Sequence, residues 1–276
     1  MNPGTLYLCP TPLGNMEDIT LRALRILGEA DKIAAEDTRR TRKLLSHYKI
    51  HTPLTSYHEH NRHKKGAAII AWLQAGLQVA LVSDAGTPCI ADPGEDLVKE
   101  ALSNGIQVVS LPGPVAAVTA LVASGLPSAP FAFYGFLPAR GSERKATVSR
   151  ILDEDKTVVF YEAPHRLVKA LTELQADEQN RQVVVARELT KIYEQFIRGT
   201  LTEVQAHFSV NEPRGECTVL LAGKGNKPCL TEPVLLVEEL LKEGLTKKEA
   251  IREAAGRLKL PRNDVYKRVL EKNKDS

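Results

Sequence analysis

The chain is poor in several things whose presence would have assigned it quickly. It has four cysteines, Cys9, Cys89, Cys217 and Cys229, with no short Cys-x-x-Cys spacing, so neither a disulfide scaffold nor a zinc ribbon is expected. No His-Glu-x-x-His is present, and His58-Glu59-His60 reads as a polar loop edge, so no metal is expected. The Gly-x-Gly-x-x-Gly dinucleotide fingerprint and the phosphate-binding P-loop are both missing. No uninterrupted apolar run is long enough to span a bilayer. The first residues, Met1-Asn2-Pro3-Gly4, lack the basic and apolar regions of a signal peptide. With the scattered thiols, that points to a cytoplasmic protein.

What the chain does have is a soluble composition, 43% hydrophobic and 26% charged over 276 residues. Net charge is only +3 but unevenly placed: residues 242–276 hold eleven Lys/Arg against six Asp/Glu, and so carry +5. A basic terminal module on a near-neutral body suits an anionic partner such as nucleic acid.

The densest local signal is Ser83-Asp84-Ala85-Gly86-Thr87-Pro88, with Asp92-Pro93-Gly94 close behind, between an apolar run at 79–82 and a helical pattern at 95–103. Strands of open α/β sheets that end in such loops bind ligands there, because backbone groups are free at the carboxyl ends. The construction recurs where residues 6–9 run into Pro10-Thr11-Pro12-Leu13-Gly14-Asn15, and where 108–111 run into Pro112-Gly113-Pro114 ahead of a small-residue helix at 115–124. Mixed charges close three more strands: Ala35-Glu36-Asp37-Thr38-Arg39, Tyr161-Glu162-Ala163-Pro164-His165-Arg166 and Ala186-Arg187-Glu188-Leu189-Thr190-Lys191. His165 and Arg166 in a first helical turn oppose the macrodipole, a small cost that a functional role would offset.

Along the chain, strands near Leu6 and at 32–35, 54–57, 79–82 and 106–111 alternate with helices, including one at 67–75, which predicts a mostly parallel sheet. Strands at 131–136, 157–161, 182–186, 193–198 and 217–222 lie closer together, with helices at 144–152, 165–175 and 201–208, so that sheet should be mixed. Residues 124–130 read as a hinge and 223–228 as a linker. Helices at 233–242, 246–259 and 261–271 follow, with Thr246 and Glu249 fitting a capping box. Ala254, Ala255, Leu258, Leu260, Val265 and Val269 suit a helix-turn-helix, although Lys259 stands where Gly is expected. The expected organisation is an N-terminal α/β domain at 1–125, a second with a mixed sheet at 126–225, and a basic helical module at 230–276.

Taken in order, these strand-end loops resemble those of the bacterial family of small-subunit ribosomal RNA methyltransferases I, within the class III, tetrapyrrole methylase-like superfamily that includes diphthine synthases. The resemblance covers nearly the whole chain. It implies two α/β domains with a cleft between them, a homodimer, and methylation of a cytidine ribose 2′-hydroxyl in the decoding region of 16S rRNA. It also implies S-adenosyl-L-methionine as methyl donor, held by Pro12, Leu13, Asp84, Thr87, Ala116 and Ala117 from the first domain and by Phe160, Leu189 and Thr218 from the second. Candidates for the base are Glu36, Asp37, Glu162 and His165, with Arg39, Arg166 and Arg187 to clamp phosphates or steady an alkoxide. The substrate would be 16S rRNA within the assembled small subunit, with the helical module as a second contact. Two other readings remain: a methylase of the same fold acting on a small molecule such as a tetrapyrrole, and a nucleic-acid-binding regulator whose body senses a ligand.

Overall fold

The computed structural model describes residues 3–175, 180–224, 233–242, 244–258 and 260–272. Of the expected 223–228 linker, the part after Lys224 lies outside these residues, as do Cys229 and Lys259. The first sheet has five strands, β1 (Thr5–Leu8), β2 (Lys32–Ala35), β3 (Leu54–Ser56), β4 (Val79–Val82) and β5 (Gln107–Ser110), in the order β3-β2-β4-β1-β5. All its pairings are parallel. Helices α1 (Leu21–Glu29), α2 (Thr38–His47), α3 (Arg62–Gln74) and α4 (Gly94–Ser103) make the crossovers, and α5 (Ala116–Ser124) follows the last strand. β4 is buried along its whole length, as a central parallel strand covered on both faces must be.

The second sheet runs β6 (Phe131–Phe136), β7 (Thr157–Glu162), β10 (Cys217–Leu221), β8 (Gln182–Arg187) and β9 (Gln195–Thr200) in spatial order. β6 and β7 are parallel, while β10 is antiparallel to both neighbours and β8 and β9 form an antiparallel pair. Helices α6 (Gly141–Asp153), α7 (Pro164–Gln175) and α8 (Leu201–Val210) accompany it. The mixed sheet is therefore as its strand spacing predicts.

α5 packs on the second sheet. Its Ala117, Ala120 and Leu121 share a buried cluster with Val159, Val184, Ala186, Leu189 and Leu220. Small side chains let the helix approach the sheet closely, and the Arg198 guanidinium donates to the Ala123 and Ser124 carbonyls at 2.6 and 3.1 Å.

At the C-terminal end α9 (Pro233–Lys242), α10 (Lys247–Leu258) and α11 (Arg262–Lys272) enclose a separate core of Leu236, Val237, Leu240, Ala250, Ile251, Ala254, Ala255, Val265 and Val269. The Thr246–Glu249 capping box forms, with the Thr246 N–H donating to Glu249 Oε2 at 3.0 Å.

Departures from expectation fall mainly at element starts. α3 begins five residues earlier than its apolar pattern, because its first turn, Arg62 to Lys65, is basic and shows no apolar period. β9 begins two residues later, because Lys191 to Glu194 form the turn that leads into it: the Lys191 N–H donates to the Glu188 carbonyl and the Glu194 N–H to the Lys191 carbonyl.

Candidate active site

The order β3-β2-β4-β1-β5 places a topological switch between β4 and β1: the chain leaves β1 in one direction and β4 in the other. The two loops that follow these strands are stitched together there. Thr11 and Gly86 exchange backbone hydrogen bonds at 2.9 and 3.0 Å, and Thr11 Oγ1 donates to the Ser83 carbonyl at 3.1 Å. Thr87 Oγ1 donates to the Pro114 carbonyl at 2.9 Å, tying in the loop after β5. Gly86 is required here: its φ is +83°, and a Cβ would lie 3.0 Å from Leu13 Cδ2 and 3.2 Å from the Pro114 oxygen.

These loops form one wall of a cavity of about 410 Å³. Leu13, Glu36, Asp84, Thr87, Val115 and Ala116 line it from the first sheet; Phe136, Tyr161, Glu162, Glu216 and Thr218 line it from the second. Two ties hold the walls together. The Ala117 N–H donates to Tyr161 Oη at 3.2 Å, and the Asn15 N–H donates to Thr190 Oγ1 at 3.1 Å. The Tyr161 ring lies 5.1 Å from Phe133 and 5.2 Å from Phe136, and burial pushes its hydroxyl up from the ordinary value.

The carboxylates differ in how far they are already engaged. Asp84 accepts the Asp37 N–H at 2.9 Å and lies 3.5 Å from the Arg40 guanidinium. Glu162 is 1% exposed and fully committed: it accepts from Arg144 at 3.0 Å, Arg166 at 2.6 Å and the Ala163 N–H at 2.9 Å. Glu36 is half-buried and, with no guanidinium paired to it, accepts only from the Asp84 backbone. Burial, then the nearby Asp84 and Asp92 carboxylates, push its carboxyl above the ordinary 4.5, against smaller opposing effects of the Asp84 backbone and Arg40.

Of the residues expected from sequence, Leu13, Glu36, Asp84, Thr87, Ala116, Glu162 and Thr218 meet at this cavity. Pro12 and Ala117 adjoin lining residues without lining it themselves. The Phe160 side chain is turned into the second sheet's core, and Leu189 packs against α5. Asp37 caps α2 through the Arg39 N–H at 2.8 Å, and its carboxyl is held low by Arg39, whose own side chain is 84% exposed. His165 is exposed and outside the lining. Tyr161, Phe136, Arg40, Asp92 and Glu216 line the cavity without having been given a role from the sequence, although Asp92 and Tyr161 stood in marked motifs. Tyr161 stood at a strand end already marked by its charges, so that signal was available.

The cavity suits a cationic, partly apolar ligand: Leu13, Val115, Ala116 and Phe136 face it together with five carboxylates, Glu36, Asp84, Asp92, Glu216 and the ion-paired Glu162. Among the described residues no cluster of metal ligands occurs, and no helix is long and apolar enough to cross a membrane.

Residues 5–205 match the family of Tetrapyrrole (Corrin/Porphyrin) Methylases. The chain is 46% identical over 271 residues to the ribosomal RNA small subunit methyltransferase I of Bacillus subtilis, covering 95% of this chain and 93% of that protein. It is 46% identical to the protein of the same name from Synechocystis, covering 99% of both. Among solved structures, a diphthine synthase superposes with a TM-score of 0.63 at 15% identity, covering 79% of this chain and 90% of that one. The uroporphyrin-III-C-methyltransferase of Thermus thermophilus does so with a TM-score of 0.57 at 21% identity, covering 79% and 94%. Another structure of the Thermus protein, with a TM-score of 0.56 at 21% identity, is a complex with S-adenosylhomocysteine.

Proposed function

Because the chain belongs to the tetrapyrrole methylases and, within them, to the ribosomal RNA small subunit methyltransferase I family, we propose that it methylates the 2′-hydroxyl of a cytidine ribose in the decoding region of 16S rRNA, using S-adenosylmethionine. The observation that carries the site assignment is the cavity at the topological switch, with its apolar wall, its carboxylates and a Glu36 that no guanidinium pairs.

When bound, the donor supplies a methyl group made electrophilic by its sulfonium. Leu13, Val115 and Ala116 offer it apolar surface, Asp84 and Glu216 offer counter-charge, and Thr87 and Thr218 offer polar atoms. Pro12, Ala117, Phe160 and Leu189 would contribute through backbone groups or by supporting the wall. Positioning is the larger contribution, since orientation can supply about 7–11 kcal/mol and a general base about 10²–10⁴-fold.

Glu36 is the proposed base: it takes the 2′-hydroxyl proton as the ribose oxygen forms its bond to carbon and the sulfur keeps the electron pair of the broken bond. A carboxyl raised by burial and like charge is a better proton acceptor than an ordinary one. Glu162, held by two guanidiniums, instead positions the β7–α7 turn, and Asp37 positions α2. The exposed Arg39 and His165 are left to meet RNA phosphates, whereas Arg166 holds Glu162 and Arg187 donates to Gln195 and to the Arg214 carbonyl.

The family match ends at residue 205 while the ribosomal relatives match nearly the full chain, which supports the helical module as an RNA contact. The reading extends to the assembled small subunit as substrate, to a homodimer and to a cytoplasmic setting.

Incubation with methyl-labelled S-adenosylmethionine and either purified small subunits or naked 16S rRNA tests the proposal. Label in rRNA is expected with the subunit. No label with either, while donor binding is intact by calorimetry, overturns it.

A further inference from the structure

A second cavity of about 430 Å³ adjoins the first, and the two share Glu36, Ile90, Ala91 and Asp92 in their walls. Beyond that common wall lie Glu59, Arg62, Pro93, Glu95 and Asp96. The volume is that of a small-molecule site, and nothing proposed above uses it.

Its centre of chemistry is Arg62. The guanidinium lies 2.6 Å from Asp96 Oδ2 and 3.2 Å from Glu59 Oε1, and its side chain is about a third exposed. A guanidinium has five N–H donors in a rigid fork, so two such contacts leave donors free. The Asp96 and Glu59 carboxylates each keep a second oxygen as acceptor. The position of Arg62 is itself unfavourable, as the first residue of α3 in a turn with no acidic residue and with no side-chain cap from Asn61. A cation there opposes the helix dipole, so its two carboxylate partners hold it against a local cost.

A carboxylate beside a guanidinium presents one acceptor followed by donors. That order complements the pairing edge of cytosine, which offers the N4 amino donor and then the N3 and O2 acceptors. Uracil reverses the first two positions, and adenine lacks the third. Carboxylates are established acceptors for cytosine N4, and unstacked RNA bases are read on this edge. Ile90 and Pro93 give the cavity apolar surface for a base face.

We propose that this second cavity takes the extruded cytosine of the target nucleotide, with Asp96 accepting from N4 and Arg62 donating to N3 and O2. A nucleoside seated so has its ribose at the common wall, where Glu36 stands. The inference rests on the methyl-transfer reading above and adds to it the groups that select the base.

The test compares small subunits assembled with cytidine or with uridine at the methylated position, using the full-length protein. Wild type is expected to prefer cytidine in kcat/KM by about 5- to 150-fold, the worth of one bidentate base contact. Asp96→Asn, whose amide can serve either base, and Arg62→Gln should each reduce that preference to within about threefold, with donor affinity unchanged as the check on folding. Unaltered preference in both variants, while wild type still methylates cytidine, overturns the base pocket and leaves the methyl-transfer reading standing. Absence of methylation by wild type overturns both.

Discussion

Glu36 and Glu162 sit at the ends of two strands and share a cavity, yet their surroundings separate them chemically. Glu162 is buried between Arg144 and Arg166, and removing it would strip Arg166 of its counter-charge and leave the buried Arg144 with Glu173 alone. Glu162→Ala should therefore lower stability by about 3–5 kcal/mol, measured by denaturant unfolding. Glu36→Gln should leave stability and donor affinity close to wild type but reduce kcat by about 10²–10⁴-fold. The base form of Glu36 is the active one, so turnover is present above its pKa and lost as pH falls through it. Because that pKa is raised above 4.5, the acidic limb of the kcat profile should fall above the ordinary carboxylate range and disappear in Glu36→Gln. At this scale the sequence was readable only in part. Strand-end charges marked Glu36, Asp37, Glu162 and His165 alike. Which was without an ion pair, capping, ion-paired or exposed depends on contacts with residues as distant as Arg144, and no local pattern encodes those.

The loops after β1, β4 and β5 act as one element, joined through Thr11, Gly86 and Thr87. Gly86→Ala would place a side chain at a left-handed φ, costing about 1–2 kcal/mol, and against Leu13 and the Pro114 carbonyl. Donor affinity measured by calorimetry should fall by about tenfold or more, while small-subunit binding changes little. Most strands were legible because buried parallel strands are continuous apolar runs: β2 and β4 have the bounds that the apolar pattern gives. The start of α3 was not, since four basic or polar residues carry no apolar period. Phe160 was expected to help hold the donor; alternation along β7 turns its side chain into the core and leaves Tyr161 at the cavity, so only its backbone could serve that role.

At the scale of the whole molecule, two sheets face one cleft and a three-helix unit with its own core follows them. Truncation after Lys224 should keep donor affinity within about twofold, yet reduce methylation of small subunits. The salt dependence of RNA binding should also become shallower, because fewer phosphates are contacted. The basic character of that unit and its capping box were visible in the sequence. The packing of α5 on the second sheet was not, because its run of small residues has no strong apolar face to reveal its partner. The central claim is most directly tested by digesting rRNA labelled from methyl-labelled S-adenosylmethionine in small subunits and locating the label within the nucleotide. Label on the ribose of one cytidine, at a linkage resistant to alkaline cleavage, is the predicted result; label on a base, or on none of the RNA, would contradict it.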